Sequence, residues 1–177
     1  MSLQARPTAH SAQEEPVSSE GTGLAPAFAL EQHLFFWISQ LLERRDRQLG
    51  EGLKPLGLRV AEWRALASLY SRQRLSMTEL ADLTNIERTT LSRTVDRMVR
   101  AGWINRLTDT SDARVTRLSL TANGERLFAR VWPAVRAVNE AATTGIPEPA
   151  VEMARWAMRQ MCRNFDSLVG RGQRAIA

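Results

Sequence analysis

The order of elements between residues 76 and 120 limits the possible folds more than any other feature of the sequence. Ser76 and Glu79 stand in the Ser-x-x-Glu spacing of a capping box, in which each side chain satisfies a backbone N–H at the start of a helix. This pattern predicts a short helix that runs through Leu83. The chain then turns at Thr84-Asn85, and a second helix is predicted from Glu87 to Ala101.

The second helix carries an apolar stripe and is followed at once by two strand-forming segments. Leu91, Val95 and Met98 recur at i, i+4 and i+7, as on the core side of a helix. Trp103 to Leu107 and Val115 to Leu120 are β-prone and are joined by a polar link. Two helices with a tight turn and a following hairpin make a winged helix-turn-helix. The predicted fold is therefore mainly α with a small β-hairpin, flanked by N- and C-terminal dimerisation helices.

The chain divides into four predicted regions. These are a disordered tail (1–26), the first part of a dimerisation region (27–57), the winged helix-turn-helix module (58–120) and C-terminal dimerisation helices (121–170). The tail is assigned because Ser, Thr, Gly, Pro and Ala dominate it and large apolar residues are almost absent, so it buries too little surface to offset its ordering entropy.

Long helices are predicted on both sides of the module, and each carries an apolar stripe. The predicted helices are Ala27 to about Glu51, ending near Gly50 and Gly52; Val60 to Tyr70; Thr121 to about Thr144, interrupted or bent at Pro133; and a last helix ending near Val169. The small module can hardly cover the stripes of the first and last helices. Pairing of two chains would bury them, and we therefore expect a homodimer.

The charge balance favours a polyanionic partner. The chain has 24 basic and 19 acidic residues, a formal net charge of +5. Seven arginines and four acidic residues lie between Glu87 and Arg117, so part of the surplus falls on the second helix and the hairpin. The sequence shows no apolar run long enough for a membrane span and no secretory signal. We expect a cytoplasmic protein that makes no membrane contact.

The exposed face of the second helix has the side chains that read DNA. Arginine donates two hydrogen bonds to guanine, threonine pairs with a base edge or contacts a thymine methyl group, and small hydroxyls approach phosphates closely. Solvated helix faces with i, i+4 ion pairs would be the alternative for any single arginine. The residues assigned to the major groove are Arg88, Thr89, Thr90, Ser92 and Arg93.

The same segments resemble the MarR family of regulators. The resemblance lies in Ser76-Met77-Thr78-Glu79-Leu80-Ala81, in residues 89–98, in Ala101-Gly102-Trp103-Ile104-Asn105-Arg106, and in Asp112-Ala113-Arg114 ahead of residues 118–124. It implies a homodimer on double-stranded DNA, with an arginine of each wing in the minor groove. The wing arginine is Arg114. The full set of predicted DNA-contacting residues is Ser76, Thr78, Arg88, Thr89, Thr90, Ser92, Arg93, Arg97 and Arg114.

Two details near these motifs depart from the family pattern or from good capping. Thr110-Ser111 stands where relatives often show more charge, which predicts weaker wing contacts, while Asp112 resembles the acidic residue that orients Arg114. Glu87 is a poorer N-cap than Asp or Ser, although its charge suits the helix dipole.

The resemblance also implies a cleft for a small aromatic or acidic effector. Aromatic side chains of the first two helices would line it, although aromatics at helical spacing are more often plain core. The effector-binding candidates are His33, Phe36, Trp37, Trp63 and Arg64, with Phe35 and Arg44 as further members.

Other kinds of site are not expected. The single cysteine, Cys162, is expected to be a buried small residue rather than a redox sensor. The sequence contains no phosphate-binding glycine loop, nucleophile elbow or metal-ligand motif, so catalytic residues, a metal and cofactors are not predicted. The expected function is that of a transcriptional repressor released by an effector. The alternative is a winged-helix protein-interaction module without sequence-specific DNA binding.

Overall fold

A computed structural model of the chain describes residues 29–108 and 115–174, with side chains through Leu168. The predicted tail and the link that holds Arg114 lie outside the described residues. Two short 3-10 turns, Leu30–Gln32 and Lys54–Leu56, precede and follow the first helix. The helices are α1 (Leu34–Leu53), α2 (Val60–Arg72), α3 (Met77–Thr84), α4 (Arg88–Arg100), α5 (Ala122–Thr143) and α6 (Glu148–Arg174), and the strands are β1 (Leu75–Ser76), β2 (Ile104–Thr108) and β3 (Thr116–Leu120).

The strands form one antiparallel sheet in the order β1-β3-β2. Ile104 pairs with Leu120 and Thr108 with Thr116, which is the register of the predicted wing hairpin. The two-residue strand β1 adds to the other edge of β3, with Leu75 opposite Leu118. The predicted class, a mainly helical winged helix-turn-helix with a small sheet, is confirmed, and β1 is an addition that the sequence did not indicate.

The core lies where α2, α3, α4 and the sheet meet. The predicted stripe Leu91, Val95 and Met98 is fully buried, and Leu66 of α2 and Leu80 of α3 are buried against the same core. Burial of each such side chain contributes about 1.5–3 kcal/mol relative to exposure. The stripe therefore fixes which face of α4 is turned to the solvent.

A close contact joins the sheet to α5. The Thr121 side chain accepts the N–H of Gly124 at 3.1 Å and donates to the carbonyl oxygen of Gly102 at 2.6 Å, so it caps α5 and binds the end of α4. Gly124 is buried, and a Cβ there would lie 2.2 Å from the carbonyl oxygen of Trp103. Only glycine permits this approach of the two backbones.

Several helix boundaries differ from the prediction. The first helix begins at Leu34 rather than Ala27, and it continues through Gly50 and Gly52 because Leu49 and Leu53 of its last turns are buried. Gly57, with φ of 71°, ends the 3-10 turn that follows. Helix α5 continues without a break through Pro133, and α6 runs past Val169 to Arg174.

The last helix makes little contact with the rest of the chain. None of its side chains from residue 148 to 168 is buried. Phe165 contacts Phe35 of α1, with ring centroids 6.0 Å apart. The expectation of a buried Cys162 is wrong, because this side chain is exposed on the unpaired helix. Within the described residues, no helix has both the length and the apolar character needed to cross a bilayer.

Candidate nucleic-acid interface

Helix α4 begins with a glutamate cap. The two carboxylate oxygens of Glu87 accept the backbone N–H groups of Thr89 and Thr90 at 2.9 and 3.0 Å. These hydrogen bonds lower the pKa of Glu87 below its ordinary value. Glu87 therefore caps this helix with both oxygens, although glutamate is not among the preferred N-cap residues.

The predicted reading residues lie on the solvent side of α4. Thr89, Thr90, Ser92 and Arg93 are exposed, and the buried stripe occupies the opposite side of the same helix. In the part of the chain that the structure describes, the Arg93 guanidinium has no hydrogen-bond or ion-pair partner. This face has both charged and neutral donors available to a ligand.

The start of α3 flanks one side of this face. Ser76 and Glu79 form the predicted capping box, with the Ser76 N–H bonded to Glu79 at 2.7 Å and the Glu79 N–H bonded to Ser76 at 3.2 Å. Arg88 donates to the Thr78 hydroxyl at 2.9 Å, which ties the first turn of α4 to α3. Ser76, Thr78 and Arg88 are thus brought together at one edge of the α4 face.

The wing is connected to the same edge. Arg117 of β3 donates to the Glu79 carboxylate at 2.7 Å. The pKa of Glu79 is lowered mainly by the Ser76 N–H and to a smaller extent by the Arg117 guanidinium. The predicted wing residues Asp112 and Arg114 lie outside the described residues. Glu79 therefore links the helix-turn-helix to the strand that leads out of the wing.

Arg97 has a different environment from the other predicted DNA contacts. Its guanidinium pairs with Glu62 of α2, a carboxylate that is only 1% exposed. A second oxygen of Glu62 accepts the backbone N–H of Arg59 at 2.9 Å. This ion pair joins α2 to α4 across 35 positions of sequence, and no local pattern signals it.

The effector candidates are divided between two places. Phe36 and Trp37 contact each other edge to face at the start of α1, with centroids 5.1 Å apart, and Trp37 donates to the carbonyl oxygen of Glu31. His33 precedes this turn as the N-cap residue. All three residues lie at the N-terminal end of α1.

The other two candidates lie on α2. Trp63 is buried and stacks on Phe128 of α5, with centroids 5.5 Å apart, while Arg64 pairs with Asp46 of α1 at 2.5 Å. One oxygen of Asp46 is buried without a hydrogen bond within the described part. Within one chain, the structure does not bring the five candidates together around a single cavity.

Comparisons with known proteins agree with this architecture. The MarR family model matches residues 58–116. Multiple antibiotic resistance protein MarR of Escherichia coli is 31% identical over 87 residues, which are 49% of this chain and 60% of that protein. The HTH-type transcriptional repressor IacR of Pseudomonas putida is 23% identical over 141 residues, 80% of this chain and 84% of that protein.

A solved structure shows the likeness over most of both chains. The crystal structure of a MarR-family transcriptional regulator from Silicibacter pomeroyi matches with a TM-score of 0.71 and 28% identity, covering 77% of this chain and 92% of that one. Fold, motifs and family model together define a winged helix-turn-helix module. The predicted resemblance to the MarR family is confirmed over the winged helix-turn-helix.

Proposed function

We propose that the chain is a homodimeric repressor that binds a pseudo-palindromic site in double-stranded DNA. The observation that carries the proposal is the division of α4 into a fully buried stripe and an exposed face with Thr89, Thr90, Ser92 and Arg93. A helix held by its apolar side in this way can enter the major groove with its polar side.

The side chains have separable roles in this proposal. Arg93 forms a bidentate pair with a guanine, and Thr89, Thr90 and Ser92 contact neighbouring base edges. The cluster of Ser76, Thr78 and Arg88 contacts backbone phosphates, which position the helix without reading sequence. Arg114 of the wing enters the minor groove. Arg97 lies beside the exposed α4 face rather than on it, because its guanidinium is paired with Glu62.

The homodimer is supported by the surface that we call the arm surface, the exposed apolar side chains of α1 and α6. Soluble monomers seldom expose contiguous apolar patches of this kind. The members of the arm surface are Leu34, Phe35, Trp37, Leu41, Leu42, Met153, Trp156, Met158, Phe165 and Leu168. A two-fold pair would place two α4 helices in successive major grooves, with half-sites about 10 base pairs apart.

Repression and its release form the finer part of the proposal. A dimer that occupies a promoter excludes the polymerase, and a small aromatic acid bound between arm and module would change the spacing of the two α4 helices. Trp63 and Arg64 lie at this junction, where α2 contacts α5 and α1. In the dimer, the aromatic side chains that start α1 would complete the site.

Selection from a random duplex library at about 150 mM salt tests the proposal, since this salt suppresses non-specific electrostatic binding. We expect enrichment of an inverted repeat with half-sites about one turn apart. Absence of any enriched sequence would favour the protein-interaction module instead. A panel of aromatic carboxylates is then tested for displacement of the selected duplex, and displacement by none of them would contradict the effector part alone.

Arg114→Ala tests the wing in the same assay. Loss of one phosphate-like contact should weaken binding and reduce the salt slope by about one unit per protomer. An unchanged slope and affinity would remove the wing from the DNA interface.

A further inference from the structure

A small basic cavity lies against α4 on the side that faces α2. It has a volume of about 250 Å³ and opens between the start of α2 and the middle of α4. Three guanidinium groups and one carboxylate surround it, a surplus of two positive charges. The lining residues are Arg59, Ala61, Glu62, Thr90, Arg93, Thr94 and Arg97.

The buried Glu62 holds two walls of this cavity in place. One carboxylate oxygen accepts the Arg97 guanidinium, and the other accepts the backbone N–H of Arg59. The side chain of Arg97 is 35% exposed, so the ion pair still faces the cavity. Because Glu62 balances a single guanidinium, the charges of Arg59 and Arg93 stay uncompensated, and neither has an acidic partner among residues 29–108 and 115–168.

The cavity has hydrogen-bond donors without an acceptor in the described part of the chain, and these donors can bind a phosphate. Thr94 uses its hydroxyl proton on the carbonyl oxygen of Thr90 at 2.8 Å, but the Thr90 hydroxyl has no such partner in the described part of the chain. Arg59 contributes a whole guanidinium, and Arg97 keeps the N–H groups that Glu62 does not accept. Clustered charged and neutral donors with few acceptors bind an oxyanion in preference to a cation or an apolar group.

The position of the cavity favours a DNA backbone phosphate as the oxyanion. Thr90 and Arg93 belong both to the cavity and to the proposed DNA-reading face, while Ser76, Thr78 and Arg88 lie on the α3 side of that face. The major groove is about 12 Å wide and is bordered by one phosphate backbone on each side. A helix seated in it would meet one backbone at the start of α3 and the other at this cavity.

We propose that the cavity between α2 and α4 binds one backbone phosphate of each DNA half-site, held by the guanidinium groups of Arg59 and Arg97. The inference rests on the proposed DNA binding and adds Arg59 to it, a residue outside the helix-turn-helix. The contact positions the protein and carries no sequence preference.

The test compares Arg59→Ala with Arg72→Ala on the selected duplex. Each change removes one exposed arginine, Arg59 at the N-cap of α2 and Arg72 at its last residue, about 20 Å apart along the helix axis. We expect Arg59→Ala to reduce the salt slope by about one unit per protomer and to weaken binding to all sequences equally. Arg72→Ala should keep the wild-type slope. Equal slopes for wild type and Arg59→Ala would overturn the inference.

A scan with neutral methylphosphonate linkages locates the contact. In the wild type, one position of each half-site should lose affinity on neutralisation, and in Arg59→Ala the same position should show little further loss. If every position behaves alike in both proteins, the cavity holds no backbone phosphate. A wild type that selects no DNA would instead remove the proposed function, and this inference with it.

Free anions are the remaining source of an oxyanion, and they are tested without DNA. Inorganic phosphate at millimolar concentration should change the melting temperature of the wild type and of Arg59→Ala by the same amount. A selective rise in the wild type, together with an unchanged salt slope, would assign the cavity to a soluble oxyanion and overturn the DNA contact.

Discussion

The winged module and the helical arms, α1 and α6, differ in how far their apolar side chains are buried. Every buried apolar side chain in the described part lies between Leu49 and Val135, most of them within the module. Helix α6 has many large apolar side chains, yet none is buried from residue 148 to 168. The module closes its core within one chain, whereas the arms leave most of their large apolar side chains exposed.

This difference predicts that substitutions in the module change the stability of the single chain, whereas substitutions in the arms change the association of two chains. Loss of a core side chain in the module should lower the stability of each chain by itself, at any protein concentration. A change on the arm surface should act through the association equilibrium, so that its effect depends on concentration. The four predictions below test this separation, from the largest expected effect to the smallest.

Leu91→Ala should have the largest effect, because Leu91 is fully buried at the centre of the α4 stripe. Removal of its side chain leaves a cavity and should lower the free energy of unfolding by about 3–5 kcal/mol. Urea denaturation at two protein concentrations measures the loss. Leu83→Ala, at an exposed leucine of α3, is the matched control and should change stability by less than about 1 kcal/mol. Similar losses for the two variants would contradict the assigned core.

Trp156→Asp tests the arm surface. Trp156 is 53% exposed on α6, and a charge there would be desolvated when two chains pair. We expect the dimer dissociation constant to rise about 30-fold or more, which corresponds to about 2 kcal/mol. Sedimentation equilibrium measures it, and circular dichroism should show an unchanged helical module. Arg159→Ala on the same helix is the control. A wild type that sediments as a monomer would disprove the pairing of the arms.

Arg93→Ala acts on function without affecting either core or arms. Its guanidinium is exposed and has no partner within the described residues, so stability should stay close to that of the wild type. Loss of a bidentate pair with guanine should relax the preference at one base pair of each half-site by about tenfold. Competition binding with single-base variants of the selected duplex measures this. A uniform loss over all variants would reassign Arg93 to the backbone.

The smallest effect concerns pH. Backbone N–H groups hold the pKa of Glu79 and Glu87 below the ordinary value of 4.5, so folding favours their ionised forms. Their contribution to stability is complete above that value and is lost as pH falls through the lower values of the folded protein. Between about pH 5 and pH 3, Glu79→Gln should therefore lose less stability than the wild type. Urea midpoints measure the difference, with Glu51→Gln as control, and equal losses would count against the cap.

The parts of the fold that local patterns determine were predictable from the sequence. The capping box at Ser76 and the buried stripe from Leu91 to Met98 depend on residues three or four positions apart, and both are confirmed. The hairpin strands were predicted to within about one residue because their composition and flanking turns are local signals.

Contacts between distant segments could not be predicted in this way. Strand β1 has only two residues, and it forms because Leu75 pairs with Leu118 of β3. The pair of Glu62 and Arg97 and the position of Arg59 beside α4 likewise depend on how α2 packs. Cys162 was expected to be buried because its helix is apolar, and the sequence does not tell whether that helix is covered by its own chain.

The close contact at Gly124 has a mechanical consequence. With no Cβ between α5 and the carbonyl of Trp103, the helix and the residue before β2 meet backbone to backbone, and this close packing opposes movement of one without the other. Helix α5 spans 22 residues, about 33 Å, so a tilt of 4° at its far end displaces the module by about 2 Å. A small tilt of α5 caused by binding in the arms would therefore produce a larger displacement of the module, instead of a bend at the junction. Substitution of this single glycine would disturb that transmission even where no ligand or nucleic acid touches it.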